Sequence, residues 1–265
     1  MKSKRVVAII EARINSKRLV GKVLKKLNGK EIIKIILERL KFSKKIDAKL
    51  VATSKSKKDD KLVNLLRGKY SYYRGSEKNV LRRVIEAGEK SNADIIVRLT
   101  GDNPLVDPFM VDFMIKYMLR NPKIDYLTNN SFGILKKRQI AFGLDVSIFK
   151  LKKLKILEKK IKKLNKKKEF FEFPTLYFYT TGKKFFNVKN ISIPKKFIIN
   201  MNYRLTLDTQ RDYVFFQKLF SNFKKKVFVK NIDVKKILLN NPKLSNYNRS
   251  VKQYDPNLNF LRNKT

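Results

Sequence analysis

The run VVAII at positions 6–10 has no polar side to turn toward water. A strand built from it must be covered on both faces, as happens in parallel sheets flanked by helices. The sequence repeats the pattern. AKLVAT ends at Thr53 and ADIIVRLT at Thr100, while KYSYYR, ending at Arg74, supplies a more polar strand between them. Helical periodicity fills the gaps: Ile32, Ile33, Ile35, Ile36, Leu37 and Leu40 are the apolar positions of 31–40, and 58–66, 77–89 and a stretch from Pro108 to about Leu119 also read as helices. The alternation predicts an α/β domain with a doubly wound, mostly parallel sheet between helical layers, filling residues 1–240.

Beyond Asp125 the pattern loosens. YLTNN, GLDVSIF, PTLYFYTT, KFFNVKNI and YRLTLDT read as strands, and 212–220 as a helix. In KLKKLKILEKKIKKLNKKK (150–168), Leu151, Leu154, Leu157, Ile161 and Leu164 form one apolar stripe, with lysines on the other faces. Such a helix can lie on an anionic membrane or pack its stripe on the domain. We favour packing, because the stripe lacks aromatic anchors. Residues 241–265, rich in Asn and polar groups, read as a C-terminal surface extension.

Composition narrows the chemistry. The 265 residues include no Cys and no His, which removes disulfides, thiolate sites, a Cys nucleophile and the usual general base. Catalysis must run on carboxylates, Lys, Arg, hydroxyls or a bound metal ion. The formal net charge of +42 would draw any polyanion. Its lysines are spread along the chain beside much Asn, Ile and Phe, as an AT-rich coding sequence would produce, so we do not read a nucleic-acid partner from it. No run approaches the roughly 18 apolar residues of a spanning helix, and the N-terminal run is too short for a signal-peptide core. The expected location is the cytoplasm, with no membrane partner.

Ligands of such sheets bind at the carboxyl ends of the strands. There the sequence places EARINSKRLVGK (11–22), directly after the first strand. Arg13, Arg18 and Lys22 can converge there with backbone amides near Gly21 on a triphosphate. The loop is neither a Walker A nor a GxGxxG motif, and alone it reads equally well as a solvated basic loop. LTGDNPLVDP follows the strand ending at Thr100 and offers Asp102 as a Mg²⁺ carboxylate. RLTLDT offers Asp208 as a second one, with Thr209 as the cap of the next helix. Either aspartate alone reads as a turn or cap residue. Together, opposite a cationic loop, they point to metal-assisted nucleotidyl transfer.

These residues carry a resemblance. Ala12, Arg13, Ser16, Arg18, Leu19, Gly21 and Lys22 match A-R-x-x-S-x-R-L-P-G-K, the signature of the cytidylyltransferases that activate acidic sugars as CMP-sugars, such as CMP-sialate and CMP-Kdo synthetases. VATS (51–54), RGSExxVLRR (74–83), RLTGDNPLVDP (98–108), GLDV (143–146) and RLTLDTQRD (204–212) follow in the family's order. The chain most resembles the spore-coat polysaccharide branch, over residues 5–220. The resemblance implies the Rossmann-like fold of nucleotide-diphospho-sugar transferases, with CTP and an acidic sugar such as a nonulosonate as partners. It implies a nucleotide site of Ala12, Arg13, Ser16, Arg18, Lys22, Thr53, Arg74 and Asp102, with Thr53 and Arg74 near the base and ribose. It also implies Mg²⁺ on Asp102 and Asp208, and Asp145 and Glu172 facing the sugar.

Departures qualify the match. Val20 replaces the usual Pro, Glu11 replaces Gln or Pro, and the family's E-H-V-T-P-Y segment is EFPTLY (172–177) here, without its His. That loss bears on sugar choice and on a homodimer interface, and leaves open a copy without activity. In the expected reaction a sugar hydroxyl attacks the α-phosphorus of CTP and pyrophosphate leaves, with Arg18, Lys22 and Asp102 as the catalytic groups. The alternatives are a basic binding protein that keeps the fold without the chemistry, or the same reaction with another NTP or sugar.

Overall fold

The computed structural model describes residues 3–16, 18–130, 138–164, 168–200, 202–223 and 228–253. Strand β1 (Val6–Glu11) explains its own composition: Ala8 and Ile10 enter one core cluster and Val7 and Ile9 the other. Both faces of the sheet are therefore dry. Each fully buried Val or Ile side chain adds about 1.5–3 kcal/mol, so one polar substitution in β1 would be felt on either side.

After β1 a two-stranded ribbon, β2 (Lys26–Leu27) and β3 (Lys30–Glu31), leads into α1 (Ile32–Arg39). Then come β4 (Ala48–Ser54), α2 (Asp60–Leu66), β5 (Tyr72–Gly75), α3 (Val80–Lys90), β6 (Ile95–Thr100) and α4 (Pro108–Arg120). The seven-stranded sheet runs β5-β4-β1-β6-β8-β7-β9, with β7 at Tyr126–Thr128, β8 at Ser147–Lys150 and β9 at Val188–Asn190. β4, β1, β6 and β5 are parallel, whereas β8 lies antiparallel to β6 and β7. The sheet is thus mostly parallel and doubly wound, as expected.

The helix expected at 77–89 starts at Val80, because the Asn79 side chain accepts from Arg82 N and caps it. α5 (Leu151–Lys163) buries Leu151, Leu154, Leu157 and Ile161 in the core, so its stripe is used inside the domain. Only Leu164 of the expected five stays exposed.

Two expected strands are not strands. PTLYFYTT forms α7 (Pro174–Tyr179), next to α6 (Lys168–Glu172). Pro174 is fixed in the first turn, and Leu176, Tyr177 and Phe178 form a buried helical face, with Phe178 4.8 Å from the Tyr126 ring. The aromatic composition misled because β-propensity measures packing more than backbone preference. YRLTLDT is extended but makes a single bridge, Phe142 to Arg204. Its backbone bonds go to loops instead: Leu205 N donates to Phe142 O at 2.8 Å and Leu207 N to Asp102 O at 2.8 Å. Gly143, at φ +97°, permits the first contact, because a Cβ there would lie 1.8 Å from Leu205 O.

α8 (Gln210–Ser221) and α9 (Asn231–Asn240) close the domain. The following segment does not lie wholly on the surface. Asn248 is 1% exposed and donates to Arg204 O at 3.0 Å and to the Asp212 carboxylate at 2.9 Å. No described helix is long and apolar enough to cross a membrane.

Candidate nucleotide and acceptor site

β1 and β6 are parallel neighbours with Glu11 opposite Thr100, so the loops that follow them leave one edge of the sheet side by side. Gly101 N donates to Glu11 O at 2.8 Å and ties the two exits together. The first loop is folded on itself: Gly21 N donates to Ile14 O at 2.9 Å, and Lys22 N to Leu19 O at 3.3 Å. The amides near Gly21 are therefore engaged in closing the loop, and its side chains carry the charge into the site. Asp59, missed in the sequence, anchors this loop. It accepts from Ile14 N at 2.7 Å and from Ser54 N at 3.1 Å, at the end of β4.

Asp102 and Asp208 meet on one cation. Lys22 Nζ lies 2.7 Å from Asp102 Oδ2 and 2.9 Å from Asp208 Oδ1. Arg18 pairs with Asp208 at 2.9 Å. Burial alone would lower the Lys22 pKa, but the two carboxylates outweigh it and hold the ammonium above its ordinary value. Burial would likewise raise Asp102, and Lys22 together with the Thr100 hydroxyl holds it below the usual carboxylate range. Asp208 is steadied from behind by Arg204 at 2.9 Å, and Arg204 also pairs with Asp212 at 2.8 Å. Asp212 closes the capping box of α8 with Thr209, the cap expected from the sequence. Of this group the sequence reading named Asp208 and Thr209; Arg204 and Asp212 lay in RLTLDTQRD as motif residues, and their shared burial was not legible.

Two adjoining cavities open onto this junction. The larger, about 650 Å³, is walled by the loop after β1, including Arg13, Ser16, Arg18 and Lys22, and by Arg83 of α3. The smaller, about 260 Å³, reaches past Asp102 to Asn130, Asp145, Ser147 and Thr206. Arg18, Arg98, Thr100, Asp102 and Asp208 line both.

The structure therefore gathers Ala12, Arg13, Ser16, Arg18, Lys22, Asp102 and Asp208 at one place. Thr53 and Arg74 line neither cavity. Thr53 is a buried residue of β4, and Arg74 braces the β4–α2 turn by donating to Ser54 O at 3.0 Å and Ser56 O at 2.9 Å. The resemblance implied both near base and ribose; here they stand apart from the residues gathered around Asp102 and Asp208. Asp145 lines the smaller cavity, paired with Arg138 at 2.6 Å. Glu172 does not join it, but stands with Phe173 in the wall of the larger one.

The chain belongs to the cytidylyltransferase family, whose model matches residues 7–244. It is 36% identical over 253 residues to the protein MJ1063 of Methanocaldococcus jannaschii, covering 94% of this chain and 96% of that one. It is 29% identical over 203 residues to the spore coat polysaccharide biosynthesis protein SpsF of Bacillus subtilis, covering 76% and 78%. A solved cytidylyltransferase from Leptospira borgpetersenii superposes with a TM-score of 0.81 at 30% identity, over 96% of this chain and 100% of that one. The fold is shared more distantly with a CMP-2-keto-3-deoxy-manno-octonic acid synthetase solved with CTP, at a TM-score of 0.58 and 18% identity over 83% and 99% of the two chains.

Proposed function

We propose that the protein transfers CMP from CTP to an acidic sugar and releases pyrophosphate, with Mg²⁺ as cofactor. The observation that carries this reading is the junction of two cavities on the Asp102–Lys22–Asp208 cluster. Transfer between two substrates needs two sites that meet where the bond is exchanged. The larger, cationic cavity suits the nucleotide, with Arg13, Arg18 and Lys22 toward its phosphates. The smaller cavity, with Asn130, Asp145, Ser147 and Thr206, offers the hydrogen-bonding groups a sugar requires.

The sugar hydroxyl would attack the α-phosphorus from the smaller cavity while the bond to the β-phosphate breaks toward the larger one. Arg18 and Lys22 then face the charge that grows on the leaving pyrophosphate. Mg²⁺ fits the donor set: two carboxylates already share one cation, and this ion commonly takes one or two carboxylates plus phosphate oxygens. Asp102 and Asp208 would hold it, and Lys22 would be released toward the phosphates. When bound, Mg²⁺ neutralises phosphate charge and lowers the pKa of an adjacent hydroxyl, so the missing His is no obstacle.

The Bacillus subtilis relative is named for spore coat polysaccharide biosynthesis, and an activated sugar for surface polysaccharide is the product this reading assigns. The test is pyrophosphate release from each NTP with Mg²⁺ against a panel of 3-deoxy-2-keto sugar acids. Release with CTP and one of the acids supports the reading. Silence with every pair ends it.

A further inference from the structure

Glu11 is one of the places where this chain departs from the pattern it resembles, and the structure gives it a partner. Arg98 on β6 donates through Nε to Glu11 Oε1 at 2.6 Å and through Nη2 to Oε2 at 2.7 Å. This is the side-on edge of the guanidinium, and a fork held at two points cannot rotate. The other edge is left over. Among the described residues, Nη1 meets no protein acceptor, and Arg98 lines the smaller cavity while Glu11 lines only the larger.

The other cations near the smaller cavity are committed. Arg18 pairs with Asp208, and Arg138 places Nη2 2.6 and 2.7 Å from the two Asp145 oxygens. The carboxylates of that cavity have their own cations, Lys22 for Asp102, Arg18 and Lys22 for Asp208, and Arg138 for Asp145, and the other polar groups beside Arg98 are hydroxyls and an amide. Ser147 stands opposite it on β8, Tyr126 Oη lies 3.1 Å from Ser147 Oγ and 2.7 Å from Tyr179 Oη, and Asn130 lines the same cavity.

We infer that the outer edge of Arg98, held in place by Glu11, recognises the carboxylate of the acceptor and sets the protein's preference for an acidic over a neutral sugar. The inference rests on the acceptor reading of the smaller cavity given above. Glu11 cancels most of the net charge, so selection comes from the planar fork and its direction. A neutral ester would leave a partly buried N–H pair unmatched.

The test is calorimetric titration of the full-length protein with N-acetylneuraminate and 3-deoxy-octulosonate, each beside its methyl ester, and separately with CTP. Wild type is expected to bind at least one acid about 10- to 100-fold more tightly than its ester, the size of one charge-assisted hydrogen bond. Arg98→Gln should bind acid and ester alike, and its CTP affinity, read because Arg98 also borders the larger cavity, should change less than its acid affinity. Arg98→Lys should keep only part of the preference, because it lacks the fork. Where Arg98→Gln alone fails to fold around an unpaired Glu11, the double variant Glu11→Gln/Arg98→Gln removes both charges and carries the same measurement. The inference is overturned if wild type binds neither acid or shows no preference, if the Arg98 variants keep it, or if CTP affinity falls in parallel. Pyrophosphate release separates the two readings: acid selection without release would sink the proposed reaction and leave Arg98 standing.

Discussion

Asp102 and Asp208 face the same ammonium group, yet two different halves of the molecule hold them there. Asp102 follows β6, a central strand hydrogen-bonded to β1 and β8, and the backbone of the sheet fixes where it leaves. Asp208 follows an extended segment with one isolated bridge and two backbone bonds to loops, and side chains hold its carboxylate: Arg204, Asp212 and, behind them, Asn248. One carboxylate is aimed by a regular ladder and the other by a buried web of charge. The second arrangement concentrates its stability in a few side chains, because removing one partner of a buried ion pair strands the other.

The largest effect should therefore come from the web. Arg204→Met takes away the cation paired with Asp212 and one of the three paired with Asp208, at positions 0% and 4% exposed. We expect a loss of about 3–5 kcal/mol in urea unfolding. A variant within error of wild type would show that the web does not hold the second carboxylate. Asp102→Asn should behave in the opposite way. It keeps shape and the strand exit, and Lys22 keeps Asp208, so stability should fall less than in Arg204→Met while pyrophosphate release falls by about 10²–10³. Full activity in a folded Asp102→Asn protein would remove Asp102 from the chemistry.

The same contrast decides what could be read from the sequence. β1, β4 and β6 were legible because a run without a polar face has only one kind of home, and attention to the loops after β1 and β6 followed from the rule that such sheets bind ligands at the carboxyl ends of their strands. The structure brings Asp102 and Lys22 together with Asp208, and Thr209 caps α8. Thr53 and Arg74 stand apart from that cluster; a motif match fixes neither the direction nor the partner of a side chain. In the second half local pattern held for YLTNN, GLDVSIF and KFFNVKNI, which contain β7, most of β8 and β9, and failed for two segments. PTLYFYTT has strand composition, but Pro174 and the aromatic core turned it into a helix. The web of Arg204, Asp212 and Asn248 depends on contacts 8 to 44 residues apart, which no short-range pattern encodes. Glu11 was visible as an odd carboxylate, and Arg98 as a charge in an apolar strand. Their pairing needed the register of β1 on β6.

A smaller effect, with a characteristic pH dependence, should follow from removing the shared cation. In wild type, Asp102 is held below its ordinary value of 3.8, so its contribution is present above that pH and lost as pH falls through the lower folded value. Lys22 is held above 10.5, so its contribution is present below that pH and lost as pH rises through the higher folded value. Between about pH 5 and 9 the pair therefore adds no slope. In Lys22→Met the largest influence left on Asp102 is burial, which raises its pKa. The deficit should be roughly 2 kcal/mol at neutral pH, moderated by partial exposure, and should shrink as the carboxyl protonates toward pH 4. Urea melts across pH 4–9 measure it; a deficit that stays constant would show that Lys22 acts by packing alone.

Asn248→Ala makes the finest cut between the two regions, because it touches neither carboxylate directly. Its amide bonds Arg204 O at 3.0 Å and Asp212 Oδ1 at 2.9 Å, so the alanine leaves a buried carbonyl and one carboxylate oxygen with fewer donors. Asp212 keeps Arg204 and the amides of Asp208 and Thr209, which limits the loss to about 1–3 kcal/mol. If the second carboxylate is aimed by side chains, this change at the end of the chain should also weaken pyrophosphate release. An equally destabilising change behind the sheet, such as Ile9→Ala, should leave turnover of the folded protein intact. Comparing the two at matched stability separates a network that positions Asp208 from one that only holds the domain together. Equal turnover in both would reduce Asn248 to a structural residue.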